Sequence, residues 1–141
     1  MAQIDFFTQD VSFKLPKPAK IRLWIKTLIE VEKKRLVHLN YIFCSDLYLL
    51  GLNKQYLKHR TLTDTITFDT SEREGHIEGD IFISIERVEA NAAELATTFD
   101  NELHRVLVHG VLHLIGYSDK TARQKSQMRK KEDAYLSLRN F

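Results

Sequence analysis

Residues 108–120, VHGVLHLIGYSDK, make two demands that pull against each other. Most of the run is apolar and reads as a core helix from about Asp100 to Ile115, yet it carries His109 and His113. On an α-helix, residues four apart project from nearly the same face, because about 3.6 residues complete a turn. The two imidazoles therefore aim at one point, and burying both without a partner is costly. Gly116 then lets the backbone turn, so the chain can bring Asp119 back toward them. Two nitrogens and a carboxylate with one position left open form the ligand set of a catalytic zinc, not of a closed structural one.

The rest of the chain supplies the surface on which such a helix can pack. The first extended segment is IDFFTQDVSF, punctuated by Pro16 and Pro18. Ile21, Trp24, Ile25, Leu28 and Val31 then recur at helical spacing, which predicts an amphipathic helix over 18–34. The β-branched and aromatic run 36-LVHLNYIFC-44 suits a buried strand, and a helix from about Asp46 to Leu57 follows. Two further strands are predicted at 63-TDTITFD-69 and 77-IEGDIFISI-85, joined through the charged, Gly-containing SEREGH. After Glu86 the pattern is helical: roughly 86–97, the histidine helix, and about Thr121 to Leu138. This order predicts an α/β (α+β) fold, a single mixed β-sheet of about four strands with helices packed on it. Trp24, Phe6, Phe43 and Phe68 are expected in its core.

At 141 residues the chain is expected to be one domain, residues 1–141, able to bury a real core without staples. Its single cysteine, Cys44, excludes an internal disulfide and fits a reducing compartment. MAQIDFFTQD lacks the basic region of a signal peptide, and no apolar run approaches the roughly 18 residues of a membrane span. A cytoplasmic protein with no membrane partner is therefore expected. The net charge of +2 does not announce a nucleic-acid binder. Cations do gather on the last helix, among them Lys125, Arg129 and Lys130, and in 54-KQYLKHR-60.

The offsets of His109, His113 and Gly116 match the metzincin signature, but the glutamate that serves metalloproteases as general base is here Gly110. That counts against peptide hydrolysis. The run from His109 to Tyr117 instead resembles the HGxLHLxGYDH hallmark of the YbeY endoribonucleases, the rRNA maturation factors. The stretch 52-LNKQYLKHRTLTDTITF-68 is similar to the family's LNxxYRxxDxPTDVLSF at Asn53, Tyr56, Thr63, Asp64 and Phe68. Gly79-Asp80-Ile81 with Ser84 and Glu86 is similar to its GDIxISxE.

The resemblance, which covers roughly residues 46–135, implies a zincin-like fold. It also implies a metal-dependent, single-strand-specific endoribonuclease acting in ribosomal RNA maturation and ribosome quality control. Single-stranded RNA, ribosomal RNA and ribosomal subunits are the partners it implies, with no small-molecule cofactor.

The family's third histidine ligand aligns with Asp119, so the expected metal site is His109, His113 and Asp119, holding one Zn²⁺ per chain. A carboxylate cancels one metal charge and is a harder ligand, which leaves Mn²⁺ or another divalent ion open. The family's arginine aligns with Leu57, and His59 and Arg60 are the nearby residues that could hold phosphate in its place. Asp64 is the carboxylate that could serve as a base or as a structural brace. His104 lies about 140° round the helix from His109 and should point away; His38 belongs to a strand and His76 to a turn. Cys44, in an apolar strand, is no nucleophile. Two alternatives stand beside the endoribonuclease: a small metzincin-like metalloprotease, and a non-catalytic ribosome-associated RNA-binding domain with a structural metal.

Overall fold

The computed structural model describes residues 2–57 and 63–141. Its first strand, β1 (Gln3–Thr8), stops short of the extended segment read from the sequence. Helix α1 (Pro18–Val31) opens on a proline, whose missing N–H would have had no partner in the first turn anyway. It buries Ile21, Trp24, Ile25 and Leu28 as expected, with Ile29 in place of Val31. Val31 is 56% exposed because it falls in the last turn, where the chain is already leaving the helix through Lys33 at φ 59°.

Next come β2 (Arg35–Cys44), α2 (Asp46–Leu52), β3 (Thr65–Asp69) and β4 (His76–Ser84). The helix expected to run to Leu57 does continue, but Asn53–Leu57 is wound as a π-helix. His76, expected in a turn, is the first residue of β4. Helices α3 (Ile85–Glu94), α4 (Phe99–Ile115) and α5 (Ala122–Ser137) complete the order. Among the described residues no helix is long and apolar enough to cross a membrane.

The strands form one four-stranded sheet in the order β1-β2-β4-β3. β2 pairs in parallel with β1 and β4, and β3 runs antiparallel at the edge. The sheet is mixed, as the alternation of strands and helices predicts. Register aligns Ile4 with Leu39 and Tyr41 with Ile81 on one face. These pack with Trp24 of α1, Leu107 and Val111 of α4, and Leu136 of α5 into the main core. Cys44, Leu49 and Ile66 form a smaller cluster with partly buried Phe68 and Phe82. Burial, with Asp10 and Asp46 nearby, pushes the Cys44 thiol up to about 12, so it is inert as the sequence predicts.

Helix α4 lies close against the sheet, and two contacts fix its seat. Tyr41, fully buried, donates its hydroxyl proton to the Leu107 carbonyl at 2.8 Å. One turn on, a Cβ at Gly110 would meet Ile81 Cγ2 at 2.8 Å, closer than real Cβ contacts allow. The helix starts at Thr98, whose hydroxyl accepts from the Asn101 N–H, and ends at Gly116. There φ is 125° and the Tyr117 N–H bonds back to the Leu112 carbonyl, as a glycine cap permits. Thr121 and Gln124 then form a reciprocal capping box that starts α5.

Candidate functional site

The packing of α4 decides which of its side chains stay available. With Gly110 pressed on Ile81, the face bearing His109 and His113 is left at the surface; their side chains are 23% and 25% exposed. Their Nε2 atoms lie 2.9 Å apart. The turn at Gly116 returns the chain so that Asp119 Oδ2 sits 3.4 Å from His109 Nε2 and 3.3 Å from His113 Nε2. Among the described residues these three form the one grouping of ligand-type side chains whose donor atoms all lie within 4.8 Å, and it could hold a metal ion.

Each imidazole is turned by a bond on its other nitrogen. His109 Nδ1 faces Glu132 Oε2 at 2.6 Å, and His113 Nδ1 faces the Tyr117 carbonyl at 3.0 Å. Both acceptors require Nδ1 to carry the proton, which leaves the Nε2 lone pairs for a metal. Glu132 is itself held from the other side by Arg105 at 3.0 Å, and Arg105 also reaches Asp133 at 2.7 Å. Burial alone would depress the His109 imidazole, but the Glu132 hydrogen bond and charge, with Asp64 and Asp119 beyond it, leave its pKa raised. The donor set of two imidazole nitrogens and a carboxylate oxygen fits a divalent ion with room for a further ligand.

A cleft of about 380 Å³ opens beside these residues, lined by His109, Asp119, Asp64, Glu102, Arg129 and Lys125 among others. Asp64, just before β3, is half-buried; burial raises its pKa and the facing His109 charge opposes the rise. His104 points elsewhere, as its helical angle predicts. It packs edge-on against Trp24 and Phe141 and accepts from Arg139 at 2.7 Å, and burial together with Arg139 lowers its pKa to about 4. His38 is on β2 and faces Asp5 at 2.9 Å. His59 and Arg60, expected over the cleft, lie outside the described residues.

Glu132 and Glu102 are functional candidates that residue-by-residue reading passed over. Their signal was present. Met128, Glu132, Tyr135 and Leu136 recur at helical spacing and are all buried, so Glu132 is a carboxylate inside an apolar seam. Glu102 occupies the buried stripe of α4 in the same way, seven positions before His109. A charge in such a position needs a partner or a purpose.

The sequence model of the family described as endoribonuclease YbeY matches residues 3–140. The chain belongs to this family. A curated YbeY endoribonuclease of Cytophaga hutchinsonii is 56% identical, over 98% of this chain and 96% of that one. Its counterpart in Amoebophilus asiaticus is 50% identical, over 96% of this chain and 92% of its own length. Among solved structures, the solution structure of a Thermotoga maritima protein has a TM-score of 0.65 at 28% identity, covering 96% of this chain and 87% of that one. The YbeY resemblance carried by the histidine, Asp64 and Gly79-Asp80 segments is thus borne out over far more of the chain than those segments span.

Proposed function

We infer that this YbeY-family chain is a metal-dependent, single-strand-specific endoribonuclease of ribosomal RNA maturation. The observation that carries the reading is the triangle of His109 Nε2, His113 Nε2 and Asp119 Oδ2 at the mouth of a cleft, with both Nδ1 atoms engaged behind it. In this reading the three residues hold one divalent ion, zinc first. When bound, the ion supplies Lewis acidity toward a phosphodiester. Lys125 and Arg129, exposed at the cleft and in no ion pair among the described residues, bind the flanking phosphates. Asp64, with its raised pKa and its place in the same cleft, takes the proton of the attacking oxygen.

The metalloprotease alternative rests on the shared ligand spacing alone, and the packing of Gly110 speaks against the glutamate it needs. A glutamate side chain there would have to pass through Ile81. In this proposal the cleft takes an unpaired strand, and ribosomal RNA, with ribosomal subunits as the setting, is the substrate that the motif resemblance implies. Residues 1–141 act as one catalytic unit in this proposal, in the cytoplasm, where a buried lone cysteine and an RNA substrate both fit.

The test is purification without chelator and elemental analysis, followed by incubation with labelled single-stranded RNA, duplex RNA and casein. One divalent ion per chain and chelator-sensitive cleavage of the single strand alone are expected. Metal retained in a protein lacking both His109 and His113, or efficient casein cleavage lost in His113→Ala, would overturn the reading.

A further inference from the structure

Glu102 is the group that the proposed chemistry leaves without a task. It is 5% exposed, it lines the cleft beside His109 and Asp119, and its carboxylate makes no hydrogen bond or ion pair among the described residues. The cations nearby do not neutralise it directly: Arg105 is committed to Glu132 and Asp133. Arg129 and Lys125 stand exposed at the rim. A side chain this buried, whose unpartnered carboxylate meets only the cleft, is costly to keep and is explained where a ligand completes it.

A second metal ion does not fit that need. Among the described residues only His109, His113 and Asp119 bring three metal-ligating atoms together, so Asp64, Glu102 and Glu132 do not converge on a point. Both Glu132 oxygens are also taken, by His109 and Arg105. What remains is an acceptor edge next to apolar surface, for Val106 and Met128, both buried, form part of the same wall. Apolar faces with hydrogen-bonding groups at one edge are how proteins hold unstacked bases of single-stranded RNA.

We propose that the cleft is a base-reading subsite that takes an unpaired guanine beside the scissile phosphate, with Glu102 accepting from its Watson–Crick edge. Guanine presents N1–H and N2–H₂ side by side, two parallel donors that match the two oxygens of a carboxylate. Adenine and cytosine each offer an amine next to a ring-nitrogen acceptor, and that acceptor would confront a carboxylate oxygen. Uracil offers one N–H between two carbonyls. Lys125 and Arg129 at the rim hold the phosphates on either side of the base, and Glu102 determines specificity without touching the metal site. This subsite rests on the endoribonuclease reading above.

Calorimetric titration of the full-length, metal-loaded protein with nucleoside 5′-monophosphates isolates the base, because the phosphate is common to all of them. GMP is expected to bind at least about tenfold tighter than AMP, CMP or UMP, the lower range for a bidentate base contact. IMP, which keeps N1–H and lacks the N2 amine, should fall between, and 1-methyl-GMP should lose the advantage. Glu102→Gln removes an unpaired buried charge, so it should fold and keep its metal content while the GMP preference disappears.

Equal binding of the four nucleotides, or a GMP preference that survives Glu102→Gln, overturns the proposal. So does competition between GMP and magnesium that Glu102→Gln abolishes, since that marks a second cation site. Should Glu102→Gln fail to fold, 1-methyl-GMP and IMP on the wild type decide the matter. Cleavage of single-stranded RNA without base preference sinks the subsite and spares the endoribonuclease; no RNA cleavage at all sinks the endoribonuclease, while the GMP titration still judges the cleft.

Discussion

Replacing Glu132 by glutamine tests whether the metal site is set from behind. The Glu132 side chain is 6% exposed and accepts from two donors, His109 Nδ1 at 2.6 Å and Arg105 Nη1 at 3.0 Å. Glutamine has nearly the same shape but only one acceptor oxygen, so one of the two donors must face its NH₂. Arg105 retains Asp133 at 2.7 Å, and the fold should survive. His109 then loses the carboxylate that fixes its tautomer and strengthens Nε2 as a ligand. Contacts of this kind contribute about 10–100-fold in metal affinity, which is about 1.4–2.7 kcal/mol. Zinc affinity is measured at neutral pH by competition with a chromophoric chelator, with circular dichroism and melting run alongside. A folded Glu132→Gln protein that binds zinc as tightly as the wild type would refute the reasoning.

Further outcomes follow from the same geometry. Asp119→Ala should weaken zinc binding by more than about tenfold and Asp119→His should restore it, because imidazole serves as well as carboxylate; equal metal content in all three proteins counts against Asp119 as a ligand. Gly110→Ala should destabilise by about 1–3 kcal/mol in urea unfolding, although alanine is the better helix former by about 1 kcal/mol, because its Cβ meets Ile81; Ile81→Ala should recover part of the loss, and a neutral Gly110→Ala would show that α4 is free to shift. His104 has a folded pKa of about 4 against an ordinary 6.5, so the unfolded chain takes its proton first as pH falls. The stability it protects is intact above about 6.5 and lost between about 6.5 and 4, on the order of 1–2 kcal/mol after allowing for its partial exposure. Urea midpoints across that range should fall less steeply in His104→Gln than in the wild type, and parallel slopes would be the contrary result.

What could be read in advance was whatever local spacing determines. His109 and His113 had to share a face because a helix has a fixed pitch, and Gly116 had to end that helix because it can adopt φ 125°. The strands announced themselves through β-branched runs, and β2, β3 and β4 begin and end within about two residues of those runs. Partners distant in sequence were not legible. Glu132 meets His109 across 23 positions, and only the docking of α5 on α4 brings them together. The meaning of Gly110 also changed. In sequence it is an absent base; in the fold it is the point where α4 touches Ile81. Val31 was misplaced because periodicity does not say where a helix leaves the core.

The Glu132 contact has a consequence in the order of synthesis. A chain is made from its N-terminus, so the sheet and both histidines of α4 emerge before α5. Until α5 docks, His109 has no carboxylate behind it and Arg105 lacks both of its acidic partners. On the proposed reading, a nascent or prematurely terminated chain ending after Lys120 would hold His109, His113 and Asp119 and yet compete poorly for a divalent ion. Docking of the last helix would then be the step that arms the proposed site, and unfinished copies would be metal-poor.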